Sequence, residues 1–294
     1  MAETEPQTGA PEAQHCYRHS SRETYISCSQ CGRPICPDCM HEAAVGFRCP
    51  ECVGDHRPTN RQWQGRRVVM PSGATTLTIT LIVVNVIVYA AQLAVGSTVL
   101  EVCGGLRGGQ ELVLEGGLCG VEVADGQYYR LVSSAFLHGS LIHIGFNMLI
   151  LWWVGSELER TIGWARMLVV YVASVLWGAA GALLLTNDMA LTIGASGGVF
   201  GVMGAYVVIE RQRGIGLAQS AVGGLLLLNL GLTFFLPNIS VGGHLGGLIG
   251  GAAAAWVLSS FGKGSISYGR LSGPIYASVA ALIVGAVAVS ILVT

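Results

Sequence analysis

Residues 74–95 read ATTLTITLIVVNVIVYAAQLAV, a run of 22 residues without a charge. As a helix, a run of that length reaches across a hydrocarbon core of about 30 Å. It has neither the short apolar centre nor the small-residue cleavage site of a removable signal, so it reads as a membrane span. Comparable stretches follow at about 141–156, 165–186, 195–209, 218–236, 242–260 and 272–293. The composition agrees, since 294 residues with 52% apolar, 11% charged and 42 glycines do not describe a soluble globular chain. The expected fold is an all-α polytopic membrane protein with seven transmembrane helices.

Charge divides the chain. Eight of the sixteen Lys/Arg and eight of the seventeen Asp/Glu fall before residue 68. A net charge of −1 without a basic run excludes a general nucleic-acid surface. With the N terminus inside, Arg66, Arg67, Arg160, Arg166, Arg211, Arg213, Lys263 and Arg270 all fall on the cytoplasmic side, leaving only Arg107 and Arg130 outside. Basic residues collect on that side of membrane proteins. The expectation is therefore a multi-pass plasma-membrane protein, N terminus cytoplasmic and C terminus outside.

Seven of the nine cysteines lie between Cys16 and Cys52. They form the pairs Cys16/His19, Cys28/Cys31, Cys36/Cys39 and Cys49/Cys52. Two intervening residues let one turn aim both ligands at a tetrahedral ion, and Cys with His suits zinc. A disulfide scaffold fits poorly with an odd cysteine count and no leader-like segment before residue 16. The order of pairs resembles the B-box type of zinc module. That resemblance assigns Cys16, His19, Cys36 and Cys39 to one structural ion, and Cys28, Cys31, Cys49 and Cys52 to a second. His15, His41 and His56 are near enough to stand in for a cysteine. The expected organisation is a disordered tail (1–14), a zinc-binding module (15–57), a linker (58–73), a six-helix core (74–260), and a loop with an additional C-terminal helix (261–294). Cys103 and Cys119 lie in the external segment 96–127. An oxidising exterior permits them to pair, although spacing alone does not establish bridging distance.

Polar residues inside spans are costly and therefore mark function. His143 and Asn147 are four residues apart on one helical face. Ser196 opens the fourth span within Gly194-Ala195-Ser196-Gly197-Gly198, and His244 opens the sixth after Gly242-Gly243. A serine hydroxyl becomes a nucleophile when a base takes its proton, which a neutral histidine can do. The Ser196 N–H, Asn147 and His143 are donors of the type an oxyanion requires. Gly197 and Gly201 after Ser196, with Gly247 and Gly251 after His244, permit close helix approach. His138 reads as a polar residue at the membrane edge, and Glu157, Glu159 and Arg160 as a solvated helix end.

These stretches resemble the rhomboid family of intramembrane serine proteases: Tyr129-Arg130, His138 to Asn147, Gly194-Ala195-Ser196-Gly197 and Gly243-His244-Leu245-Gly246-Gly247, across about residues 75–260. The resemblance implies Ser196 as nucleophile, His244 as general base, and His143 and Asn147 as oxyanion stabilisers. It implies no cofactor for the chemistry, transmembrane proteins as substrates, and Phe200 as a ring packed on the base. Tyr129 stands where the family has Trp, and Thr161 where a basic residue is expected. A catalytically silent adaptor, holding transmembrane clients while the zinc module recruits a cytoplasmic partner, is the alternative. The presence of both Ser196 and His244 argues against it.

Overall fold

The structure is a computed structural model and describes residues 14–43, 46–55, 75–236, 239–259 and 273–294. The chain divides into two compact units, Met1–Val69 and Met70–Thr294. The proposed linker and most of the N-terminal tail lie outside the described residues, as does His56.

In the first unit, β1 (Gln14–His15) pairs with β2 (Glu23–Thr24) and β3 (His41–Glu42) with β4 (Phe47–Arg48), before the short helix α1 (Pro50–Asp55). Its described apolar interior consists of Ile35 and six cysteines. So small a core cannot supply the stability that larger domains draw from burial.

The second unit is helical, and each of the seven expected stretches carries a helix. Five are long and apolar enough to cross a membrane: α2 (Thr76–Val95), α6 (Leu141–Ile162), α7 (Trp164–Leu185), α10 (Val241–Leu258) and α11 (Gly273–Leu292). Between them, α8 (Ser196–Gln212) and α9 (Ala221–Phe235) have 17 and 15 residues. At 1.5 Å per residue, α8 is about 25 Å long, short of the hydrocarbon thickness.

Helix α2 is apolar on its outer face, with Ile79, Val86, Ile87 and Leu93 exposed, and buries Thr78, Leu81, Asn85 and Gln92. Lipid favours this reversal of the soluble pattern, because polar groups find partners only against other protein. At its start, the Glu159 carboxylate accepts from the Leu77 and Thr78 N–H groups at 2.9 and 2.8 Å and from the Thr78 hydroxyl at 2.7 Å. Glu159 is 3% exposed. The solvated helix end expected there is thus partly wrong. The charge is buried because it satisfies helix-start N–H groups that have no partner within α2. Helix α6 contains a π-helical turn at Leu151–Gly155 and runs six residues past the expected end of its span at about 156.

The segment after α2 forms a hairpin, β5 (Ser97–Val102) and β6 (Gly105–Gln110), in antiparallel register from Ser97↔Gln110 to Val102↔Gly105. Cys103 and Gly104 make its turn with φ of 52° and 72°. Two-residue hairpin turns favour such positive values because they match the strand twist. Cys103 is disulfide-bonded to Cys119, with Cα atoms 5.8 Å apart. Two short helices follow, α3 (Glu111–Gly116) and α4 (Gly120–Ala124), and then α5 (Arg130–Ser133). Buried Arg130 ties this region together, donating to the Leu114 and Gly117 carbonyls at 3.0 and 2.7 Å and to Gln127 at 2.9 Å. The same region grips the loop that leads into α8. Leu118 bridges Thr192, Gly120 N–H donates to Asp188 O, and Arg107 donates to Met189 O.

Helices α7, α8 and α10 meet through glycine. A Cβ on Gly201 would stand 2.6 Å from the Gly247 carbonyl oxygen, and one on Gly197 3.2 Å from that of Gly243. Gly178 and Gly181 of α7 press on the α10 backbone in the same way. Small residues let helix backbones approach this closely where lipid provides no hydrophobic drive for association. Helix α11 lies against α7, where Trp177 Nε1 donates to the Leu282 carbonyl at 3.0 Å.

Candidate active site

Ser196 is the first residue of α8. The chain reaches it through Gly194, whose φ of +127° only glycine adopts readily. Gly194 N–H donates to Ser134 O at 2.9 Å. A Cβ on Gly194 would lie 2.7 Å from His143 Nε2 and 3.8 Å from Ser196 Oγ, so the imidazole and the hydroxyl flank this glycine. His143 sits in the first turn of α6, where the Ser140 hydroxyl caps its N–H at 3.2 Å. One turn on, Asn147 is 6% exposed, and its amide nitrogen has no hydrogen-bond partner among the described residues. A buried amide donor without an acceptor is unusual.

His244 sits in the first turn of α10, with Ser240 capping the Gly243 N–H at 3.1 Å. Phe200, one turn into α8, stacks on its ring with centroids 4.1 Å apart and planes 20° from parallel. On the other side His244 Nδ1 meets Thr233 Oγ1 of α9 at 2.6 Å. Ser196, His244, His143 and Asn147 all line one cavity of about 600 Å³. Its walls include Phe146 and Trp153 of α6 and Leu225, Leu228 and Leu232 of α9. Among the described residues Ser196 and His244 do not share a direct hydrogen bond, a looseness common in sites awaiting substrate.

His138 lies in the turn before α6 and packs inside the protein. It is fully buried, edge-on to His143 with centroids 5.0 Å apart. Gln92 holds its backbone in both directions, accepting from the His138 N–H at 3.1 Å and donating to its carbonyl at 2.9 Å. Sequence reasoning also missed Thr233. The available signal was a polar pair, Asn229 and Thr233, four residues apart in a leucine-rich helix.

In the N-terminal unit the eight paired residues gather into two groups of four. They are Cys16, His19, Cys36 and Cys39, and Cys28, Cys31, Cys49 and Cys52, each with ligand atoms within 4.8 Å of one another. His15 and His41 belong to neither group. His19 Nδ1 lies 3.3 and 3.4 Å from the Cys36 and Cys39 sulfurs, and Cys31 and Cys49 sulfurs are 3.7 Å apart. With metal–sulfur bonds of about 2.3 Å, a tetrahedral site has ligand–ligand edges of roughly 3.8 Å, so both groups fit one ion each. Burial raises the Cys16 thiol, but the backbone groups of Arg18, Cys36 and His19 lower it to about 6. Cys28 behaves alike through Cys31, Cys49 and Gln30. Cys39 is instead pushed up to about 11 by burial and by its sulfur neighbours. Three thiols beside an imidazole in one group, and four thiols in the other, cannot all ionise unless a cation compensates them, which is the chemistry of a metal site.

Comparison with known proteins bears on the membrane unit. The rhomboid domain family matches residues 125–261, a span that contains all four cavity residues. Rhomboid protease GluP of Bacillus subtilis is 32% identical over 68% of this chain and 39% of its own length. The putative rhomboid protease YdcA of the same organism is 35% identical over 44% of this chain and 66% of its own length. Rhomboid protease GlpG of Yersinia pestis is 33% identical over 44% and 48%. The chain thus spans less than two thirds of each of these relatives. With the rhomboid match over residues 125–261 and five described helices long and apolar enough to cross a membrane, the chain is an integral, multi-pass membrane protein that belongs to the rhomboid family.

Proposed function

We propose that this chain is an intramembrane serine endopeptidase that hydrolyses peptide bonds in or near transmembrane segments of other membrane proteins. The observation that carries the reading is the shared cavity: a serine at a helix start, a buried histidine, and an unpartnered amide donor, enclosed by apolar walls. Ser196 Oγ attacks the scissile carbonyl while His244 Nε2 takes its proton. The Ser196 N–H, the Asn147 amide and His143 donate to the developing oxyanion. As the C–N bond breaks, His244 gives the proton to the leaving amine, and an acyl-enzyme remains. Water activated by His244 then releases the acid and restores the serine. Side chains and backbone supply every step.

The two N-terminal groups hold structural zinc, because thiolate and imidazole in tetrahedral spacing suit that ion. The distribution of basic residues supports a cytoplasmic side for this module, and we propose a plasma-membrane protein in which it offers a surface to a protein partner. An adaptor without catalysis would need neither Ser196 nor His244.

A fluorophosphonate probe tests the proposal, since a serine without a base reacts poorly with it. Wild type is expected to label, Ser196→Ala not at all, and His244→Ala far more slowly. Asn147→Ala retains nucleophile and base but loses an oxyanion donor, so cleavage is expected to fall about 10- to 1000-fold. Equal labelling of wild type and Ser196→Ala would reject the reading.

A further inference from the structure

The base is held by more than its ring packing. Thr233 Oγ1 lies 2.6 Å from His244 Nδ1 and 2.8 Å from the carbonyl oxygen of Asn229, one helical turn back. A threonine hydroxyl has one proton and two lone pairs, whereas a carbonyl oxygen can only accept. The proton therefore goes to Asn229 O, and the bond to the imidazole needs Nδ1–H as donor. Thr233 is 2% exposed and His244 8%, so water does not readily exchange for either partner.

We propose that Thr233 is a positioning residue that fixes His244 as the Nδ1–H tautomer and thereby keeps Nε2 bare to accept the Ser196 proton. This rests on the serine-protease reading and adds the element that orients its base. Phe200 sets the plane of the ring, and Thr233 sets its rotation within that plane and its proton. In serine triads a buried carboxylate does this work, and a substitution that imposes the wrong tautomer lowers kcat about 10⁴-fold. A neutral hydroxyl is a weaker acceptor. Its loss is expected to lower kcat about 10- to 100-fold. Because Thr233 belongs to α9 and His244 to α10, the base is in register only while these helices keep their spacing at the cavity.

Thr233→Val keeps the shape and removes the acceptor, while Thr233→Ser restores it. For the purified full chain, kcat of Thr233→Val is expected to drop by that factor with KM within about twofold, and Thr233→Ser to recover most of it. A Val variant with wild-type kcat, or a Ser variant as impaired as Val, overturns the proposal. The ring nitrogen-15 shifts of His244, recorded on Ser196→Ala protein at neutral pH, read the tautomer without activity. They are expected to show a protonated Nδ1 and a bare Nε2, and the reverse assignment overturns the proposal even if Thr233→Val does not fold. A chain that shows this tautomer yet cleaves nothing sinks the protease reading and leaves the role of Thr233 standing.

Discussion

Gly247→Ala probes the link between helix packing and chemistry. Gly247 stands three residues after His244, and its Cα presses on Gly197, the residue after Ser196. A Cβ there would lie 2.7 Å from the Gly197 carbonyl carbon and 2.8 Å from its Cα, whereas ordinary contacts begin at 3.4 Å. Every obstructing atom is backbone, so no rotamer relieves the clash. The Gly197 carbonyl oxygen stands closer still, so helix α10 must move away from α8 by about 1 Å, beside the two residues whose spacing decides proton transfer. Overpacking of this kind costs about 1–3 kcal/mol, and a misplacement near 1 Å costs about 100-fold in rate. Gly224→Ala and Gly231→Ala are the controls, since nothing lies within 4 Å of a Cβ at either position. Alanine is favoured over glycine in a helix by up to about 1 kcal/mol, so these changes are expected to be neutral or stabilising. The assay is thermal unfolding in detergent together with the rate of fluorophosphonate labelling. A Gly247→Ala protein with wild-type Tm and labelling rate refutes the argument, as does a Gly231→Ala protein equally impaired.

Glu159→Ala leaves the Leu77 N–H, Thr78 N–H and Thr78 hydroxyl without their acceptor. At about 1–3 kcal/mol for each buried unsatisfied group, a loss of at least 3 kcal/mol is expected. Glu159→Gln, which keeps one acceptor oxygen, should lose about half as much, and unchanged unfolding of the Ala variant would contradict the buried cap. Elemental analysis of reduced full-length protein is expected to find two zinc ions per chain, falling to one in Cys28→Ser/Cys31→Ser. A strong chelator should remove both without lowering probe labelling, and a stoichiometry of zero rejects the zinc reading. For orientation, single cysteines at residue 64 and at Thr294, in a background lacking the native thiols, should respond oppositely to an impermeant thiol reagent on intact cells. Equal labelling would reject opposite placement of the termini.

The membrane helices were legible because lipid imposes a one-letter rule, long and apolar, that tertiary contacts seldom overrule. Ser196, His244, His143 and Asn147 were legible because costly polar residues stand out against that background. The hairpin at Ser97–Gln110 was not. Val99 and Leu106 point outward at 62% and 77% exposure, so the alternation that marks a strand is blurred. Glu159 reads locally as a solvated charge beside Glu157 and Arg160, because the groups it caps lie about eighty residues earlier. His138 and Gln92 form a pair separated by 46 residues, and Thr233 finds His244 only once α9 and α10 are set side by side. For Glu159, His138 and Thr233 the missing information was a partner on another element.

Cleavage by purified protein in liposomes tests the central claim most directly. Wild type and Ser196→Ala would be incubated with a panel of single-span reporter proteins and the products identified by mass spectrometry. The account predicts two fragments from at least one reporter, cut in or near its transmembrane segment, with wild type and none with Ser196→Ala. Undiminished cleavage by Ser196→Ala would contradict the mechanism, and a folded wild type that neither cleaves any reporter nor labels with the fluorophosphonate would contradict the protease reading itself.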